Sequence, residues 1–203
     1  MKVIAVGRNY AEHAKELNNP IPEKPVLFLK PDTAVLKNNK PFYIPKFSED
    51  IHYELEIVLK IAKEGKFIAE KFAHKYYEEL SVGIDFTARD IQKQQKEKGL
   101  PWEIAKSFDN SAPVGQFMAK SEIPDLQNLE FQLLINNEQR QKGNTAHMLN
   151  SFDQLISYAS QYFTLKQGDL IFTGTPAGVD KIKIGDQLRG FLNGTELFNF
   201  EIK

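Results

Sequence analysis

Two glutamates two residues apart, Glu54 and Glu56, are the first side chains in this sequence whose spacing suggests chemistry. They lie within residues 50–59, where apolar residues alternate at Tyr53, Leu55, Ile57 and Leu59 and continue to Ile61. The alternation predicts a strand. A strand's period of two puts Glu54 and Glu56 on one face, together with His52. Two carboxylates on one face repel each other, and a half-buried pair is costly unless a cation lies between them. The competing reading is a solvated edge strand, on which alternating glutamate is common. A third carboxylate, Asp85, sits at its own strand-to-helix junction downstream. Three oxygen ligands without thiols suit a hard divalent cation such as Mg²⁺ or Mn²⁺.

Other side chains could work around such an ion. After Gly7 the spacing predicts a short helix, with Asn9 as its cap, Glu12 completing a capping box, and Asn18, Asn19 and Pro20 ending it after about two turns. His13 and Glu16 are three apart and share one face of that helix. So short a helix is marginal alone, which makes it a mobile lid or a plain exposed face. Arg89 and Gln92 are likewise three apart on a later predicted helix, and Lys106 lies in residues 102–107, read as extended. Thr175 belongs to the turn Gly174-Thr175-Pro176-Ala177-Gly178, and Gly-rich turns expose backbone amides to anions. Each of these has an ordinary alternative. Lys106 reads equally as a surface lysine, Arg89 and Gln92 as a solvated helix face, and Lys30 as a strand-end charge. His52 flanks the acidic pair or supports it. His74 reads as a surface residue and His147 as structural.

The elements that must position these groups are short. Strands are predicted at residues 2–6, closed by Gly7, and at 25–29, closed by Lys30-Pro31. Residues 34–36 and 42–44 read as a hairpin around Asn38-Asn39. Phe72, Ala73, Tyr76, Tyr77 and Leu80 recur at helical spacing, predicting a helix near 70–77. Residues 81–86 read as a strand with Val82, Ile84 and Phe86 on one face and Asp85 on the other. Residues 87–90 cap a helix that runs to about Lys98, before Gly99-Leu100-Pro101. Residues 129–135 alternate and turn at Asn136-Asn137 into a partner strand. Ser151 and Gln154 form a capping box for a helix to about Phe163, with Leu155, Ile156, Ala159, Tyr162 and Phe163 inward. The remainder is β-rich: residues 170–173, a strand after Gly185-Asp186, and an Asn193-Gly194 turn before 196–202. Many short strands and few helices imply an α+β, mainly β, fold with a roll or barrel-like core.

Length and composition narrow the class. The 203 residues fit a single domain, 1–203. Hydrophobic residues at 41% and charged residues at 26% are ordinary for a soluble globular chain. A net charge of −1 removes the electrostatic case for nucleic acid or an anionic membrane. No apolar run is long enough to span a bilayer. Cysteine is absent, which excludes disulfides, cysteine nucleophiles and thiolate metal sites. The first residues read as a strand rather than a signal-peptide core, so a cytoplasmic location is the default expectation. There is no internal repeat or low-complexity segment.

Six segments in order carry a resemblance: Gly7-Arg8-Asn9-Tyr10 with His13 and Glu16; Leu27-Phe28-Leu29-Lys30-Pro31; His52-Tyr53-Glu54-Leu55-Glu56; Asp85-Phe86-Thr87-Ala88-Arg89-Asp90-Ile91-Gln92; Lys106-Ser107-Phe108-Asp109; and Thr173-Gly174-Thr175-Pro176-Ala177-Gly178-Val179. Together they resemble the fumarylacetoacetate hydrolase family, in particular its short branch of acylpyruvate hydrolases and oxaloacetate decarboxylases. The resemblance implies a mixed β-roll, usually a homodimer, with Mg²⁺ or Mn²⁺ on Glu54, Glu56 and Asp85. Longer members carry an extra N-terminal domain, whereas this chain starts directly at the catalytic one.

The expected substrate is a small α-keto acid that meets the ion through its carboxylate and keto oxygens, and C–C cleavage would release pyruvate as its enolate. His13 is the expected general base, with Glu16 holding the imidazole. Lys106 would add positive charge at a developing oxyanion. Arg89 and Gln92, and less strongly Arg8, would orient the substrate carboxylate, with Thr175 and its loop amides binding a carboxylate oxygen and Lys30 a second contact. The expected reaction is hydrolysis of 3-acylpyruvates, with oxaloacetate decarboxylation at the same site. The competing readings are an isomerase of the 2-hydroxyhepta-2,4-diene-1,7-dioate type, against which the water-activating His13/Glu16 pair weighs, and a catalytically silent metal-binding protein.

Overall fold

A strand with no alternation lies at the centre of the fold. In β1 (Val3–Gly7), Val3, Ile4, Ala5 and Val6 are all buried, because both faces of its sheet are covered. Val3 and Ala5 join a smaller apolar cluster with Val58, Leu170 and Phe172, whereas Ile4 and Val6 join the main core on the other face. β1 pairs in parallel with β12 (Leu170–Phe172) and antiparallel with β2 (Val26–Lys30). Beyond β12 come β5 (Leu55–Ile61), β6 (Tyr77–Ile84) and β9 (Met118–Ala119), completing a six-stranded sheet. The computed structural model describes residues 1–16 and 20–203.

The main core is closed from the other side by an antiparallel sheet of β11 (Glu138–Asn144), β10 (Glu130–Ile135), β14 (Gln187–Leu192) and β15 (Thr195–Glu201). Phe131, Leu133, Leu188, Leu192, Phe198 and Phe200 from this sheet pack with Ile4, Ile57 and Leu59 from the first. Its two hairpins have the predicted turns. Asn136 and Asn137 have φ of 53° and 67°, and Asn193 and Gly194 have 45° and 81°, the left-handed pair that a two-residue hairpin matching strand twist requires. Two small pairings complete the β structure: β13 (Asp180–Lys181), β4 (Ile51–Tyr53) and β7 (Thr87–Ala88) as a triplet, and β3 (Val35–Leu36) parallel to β8 (Ala112–Pro113). The sheets stay open rather than closing into a barrel, and the fold is mainly β with few helices.

The helices are α1 (Ala11–Glu16), α2 (Glu70–Ala73), α3 (Arg89–Lys98), α4 (Glu103–Lys106) and α5 (Phe152–Tyr162). The capping box of α5 is present: the Gln154 amide donates to Ser151 Oγ and the Ser151 amide to Gln154 Oε1. α3 ends on Gly99 at φ 63°. Among the described residues no helix is long and apolar enough to cross a membrane.

Several predicted elements differ. The strand at 50–59 is interrupted at Glu54, between β4 and β5, because the two halves pair with different sheets. Residues 34–36 and 42–44 form no hairpin: β3 pairs with β8, and Phe42 bridges Ile202, so long-range partners win over the local Asn38-Asn39 turn. The helix near 70–77 stops at Ala73, and Tyr77 begins β6, where pairing with Ile61 overrides helical spacing. Residues 103–106, read as extended, are helical. Tyr162, expected inward, is 56% exposed. The predicted end of α1 at Asn18 and Asn19 lies outside the described residues.

Candidate active site

The break at Glu54 builds the acidic cluster. It turns the Glu54 side chain inward beside that of Glu56, the second residue of β5, and both are buried. β5 and β6 pair with Leu55 opposite Ile84, so Asp85 leaves the end of β6 next to Glu54, and its amide donates to the Glu54 carbonyl at 2.8 Å. One oxygen from each of Glu54, Glu56 and Asp85 lies within 4.8 Å of the others. Burial, then the charges of Asp85 and Glu54, push the Glu56 carboxyl well above its ordinary pKa, even though the Gly174 amide donates to it at 2.6 Å. A buried all-oxygen set whose charges penalise one another fits a hard divalent cation.

Cations already press on the cluster. Arg89 Nη2 donates to Glu54 Oε1 at 2.6 Å, and Lys106 Nζ donates to Glu54 Oε2 at 2.8 Å, Asp85 Oδ2 at 2.7 Å and Thr87 Oγ1 at 2.6 Å. Burial would raise Glu54, but Lys106, Arg89 and His13 outweigh it and hold the carboxyl well below the usual range. Burial would likewise lower Lys106, and Asp85 and Glu54 reverse it. Lys106 also lies over the Phe28 ring, 5.3 Å from its centroid. Lys30 approaches from behind. It is buried, paired with Asp85 Oδ1 at 2.6 Å, and donates to Ser111 Oγ at 3.0 Å and to the Lys106 carbonyl. It does not line the cleft that opens in front of the carboxylates.

That cleft brings together Arg8, His13, Glu54, Glu56, Arg89, Gln92, Lys106 and Thr175. Arg89 Nη1 donates to Gln92 Oε1 at 2.7 Å, so the predicted helix-face pair is real and turned inward. His13 is buried, its Nδ1 3.1 Å from Glu16 Oε2, which leaves Nε2 for the cleft. Glu16 is exposed, and its Oε1 accepts from the Gly178 amide at 3.0 Å. Arg8 has φ 61°, a left-handed conformation rare for a residue with a side chain, of a kind that clusters at functional sites.

The Gly174–Gly178 turn differs from expectation. Two of its amides, those of Gly174 and Gly178, are already committed to Glu56 and Glu16. The turn needs glycine at 174, where φ is 97° and a Cβ would meet the Asn9 Cβ at 2.6 Å. Asn9 does not cap α1. Its side chain donates to the Thr173 carbonyl at 2.8 Å and accepts from the Asn150 amide at 2.9 Å, fastening the β1–α1 connection to this turn. Thr87, expected to help cap α3, instead accepts at Oγ1 from Lys106 Nζ. His52 pairs with Asp50 at 3.1 Å, away from the acidic cluster, and His74 and His147 are exposed.

Sequence reasoning passed over several residues here. Lys96 lines the cleft one turn beyond Gln92, and the 89–92–96 spacing on one helix face was the available signal. Burial and the charges of Arg8 and Arg89 lower its pKa. Trp102, the chain's one tryptophan, lines the cleft beside Phe28, with ring centroids 6.1 Å apart. Gln141 on β11 is buried and bonded to both the strand break and Thr175. No local pattern distinguishes it within a polar edge strand.

Comparison with known proteins gives a concordant picture. The family described as "Fumarylacetoacetate (FAA) hydrolase C-terminal" matches residues 2–203. The chain is 41% identical over 201 residues to the bovine protein named "Oxaloacetate tautomerase FAHD1, mitochondrial", covering 99% of this chain and 91% of that one. It is 42% identical over 196 residues to "Oxaloacetate decarboxylase, mitochondrial" of Dictyostelium discoideum, covering 96% and 90%. Among solved structures it is similar to fumarylpyruvate hydrolase from Pseudomonas aeruginosa in complex with Mn²⁺ and pyruvate. That match has a TM-score of 0.93 and 36% identity, covering 100% of this chain and 89% of that one.

Proposed function

We propose, since the chain belongs to the fumarylacetoacetate hydrolase family, that it is an enzyme acting on short α-keto acids of the oxaloacetate and 3-acylpyruvate type by forming and using their enolates. One observation carries the reading: His13, held by Glu16, shares a cleft with a buried carboxylate cluster ringed by Arg8, Arg89, Lys96 and Lys106. This arrangement suits an anionic substrate that must lose or gain a proton beside a carbonyl. Glu54, Glu56 and Asp85 would hold Mg²⁺ or Mn²⁺, which when bound supplies Lewis acidity toward the keto oxygen.

The chain's own groups supply the rest. His13 Nε2 takes the proton from the carbon next to the keto group, or returns it, while Glu16 fixes the tautomer and stabilises the imidazolium. Lys106 faces the oxyanion. Arg89, Gln92 and Arg8 orient the carboxylate, and the Thr175 hydroxyl donates to one of its oxygens. Lys30, walled off behind Asp85, fits a role in fixing that carboxylate better than one in touching substrate. Keto–enol interconversion of oxaloacetate needs the C–H proton transfer at His13 and uptake of a proton from water by the enolate oxygen as the enol leaves. The pair is compatible with isomerase chemistry, because abstracting a C–H proton needs a base as much as activating water does. C–C hydrolysis of an acylpyruvate, with His13 activating water, is the second reading. The overall similarity to a fumarylpyruvate hydrolase favours it.

The test follows both reactions: decay of oxaloacetate enol absorbance and release of pyruvate from acetylpyruvate, each with Mg²⁺ or Mn²⁺ and after chelation. Metal-dependent acceleration of either reaction supports the reading, and the faster one names the activity. Tight cation binding without acceleration of either would make the chain a silent binder and overturn it.

A further inference from the structure

Gln141 is a buried polar side chain in an otherwise largely exposed, polar edge strand. In that strand only Gln141 and Gly143 are buried, and Gln141 is 1% exposed. Its amide is bonded on both sides. Oε1 accepts from the Leu55 amide at 2.8 Å, at the break between Glu54 and Glu56. Nε2 donates to Thr175 Oγ1 at 2.9 Å and to the Pro176 carbonyl at 3.0 Å. These partners fix which way the amide points. Leu55 N–H can only donate and Pro176 C=O can only accept, so a flipped amide would set donor against donor and acceptor against acceptor. Thr175 Oγ1 must then accept from Gln141. Its own proton finds no acceptor among the described residues, and Thr175 lines the cleft.

We infer that Gln141 is a positioning residue: it sets the polarity of the Thr175 hydroxyl so that the hydroxyl donates into the cleft, selecting a substrate oxygen that can only accept, such as a carboxylate. A threonine left to itself can present either its proton or its lone pairs. Here the choice is made by a side chain that touches no substrate. The same amide ties the Thr175 turn to the backbone between the two glutamates, so the donor and the acidic cluster keep one spacing. The inference rests on the α-keto acid reading of the cleft.

The test is a double-mutant cycle of Gln141→Met and Thr175→Val, with Thr175→Ser as the conservative control. Binding of oxalate in the presence of Mg²⁺ is read from Trp102 fluorescence, and KM and kcat are read with oxaloacetate. Thr175→Val should weaken oxalate about 10- to 100-fold, the range for losing a hydrogen bond to a charged group, and raise KM while leaving kcat within about threefold. Thr175→Ser should bind as wild type does. Gln141→Met should weaken oxalate by about tenfold alone but add nothing to Thr175→Val. Melting temperatures identify any variant that fails to fold; in that event Gln141→Leu takes its place in the cycle. Additive losses, or a Gln141 effect that persists in the Thr175→Val background, would show a merely structural role and overturn the inference. If wild type binds no oxalate with Mg²⁺, the α-keto acid reading falls first and this inference with it.

Discussion

His13 carries the proton transfer in this account, and its surroundings make the prediction specific. Replacing it with alanine removes the only imidazole among the described residues that lines the cleft and should lower kcat roughly 10²- to 10⁴-fold, with oxalate affinity nearly unchanged. Glu16→Gln keeps the shape but loses the charge that stabilises the imidazolium, so a smaller fall of about tenfold is expected. Steady-state kinetics on both variants, with oxalate titration as the control, checks the pair. At this scale the sequence was most legible. Glu54 and Glu56 declare themselves by strand period, and His13 with Glu16 and Arg89 with Gln92 by helix period. Lys30 shows the limit. Its residue type and its place before a proline are compatible with a substrate contact, and only the three-dimensional route of β2 places it behind Asp85.

Elements fix these groups through backbone breaks and buried pairs, which local pattern does not reveal. Lys30 joins β2 to Asp85, Ser111 and the end of α4, all within the interior. Lys30→Met leaves Asp85 short of a partner and strands those acceptors, at a cost of about 3–5 kcal/mol measurable by urea unfolding. A second pin holds β1. The Lys2 amide donates to Asp169 Oδ1 at 3.0 Å and the Lys166 amide to Oδ2 at 2.8 Å, with the Lys2 ammonium paired to the same carboxylate. Burial would raise the Asp169 pKa, but the bonds from Lys2 and Lys166 outweigh it and hold it below the ordinary carboxylate value. A depressed folded-state pKa means stability that is full above the ordinary carboxylate range and lost as pH falls through the folded value. The melting temperature of Asp169→Asn should therefore lie below wild type at pH 7, and the gap should narrow at pH 3. An unchanged gap would remove Asp169 from the acid response. The capping box of α5 and both hairpin turns were readable because their signals are local. The β3–β8 pairing and the break at Glu54 were not, since each depends on a partner far along the chain.

Across the whole molecule, two open sheets share one core, and the cleft lies at the edge of the larger one, among the ends of β1 and β5, β2 and the helices α1, α3 and α4. The mainly β class follows from many short strands and few helices, but the sheet order does not. β1 pairing in parallel with β12 joins the first strand to one far downstream, and no local pattern reports it. The resemblance also implies a homodimer, and sedimentation at micromolar concentration should give the mass of two chains; a single-chain mass at every concentration would contradict it.

A cleft that makes and uses an enolate should exchange the methyl protons of pyruvate for deuterium, and proton NMR in D₂O tests this most directly. Wild type with Mg²⁺ should accelerate exchange well above buffer. Chelation should abolish the acceleration, and His13→Ala should slow exchange roughly 100-fold while Trp102 still reports oxalate binding. Exchange no faster than buffer, or exchange indifferent to His13, would contradict the account.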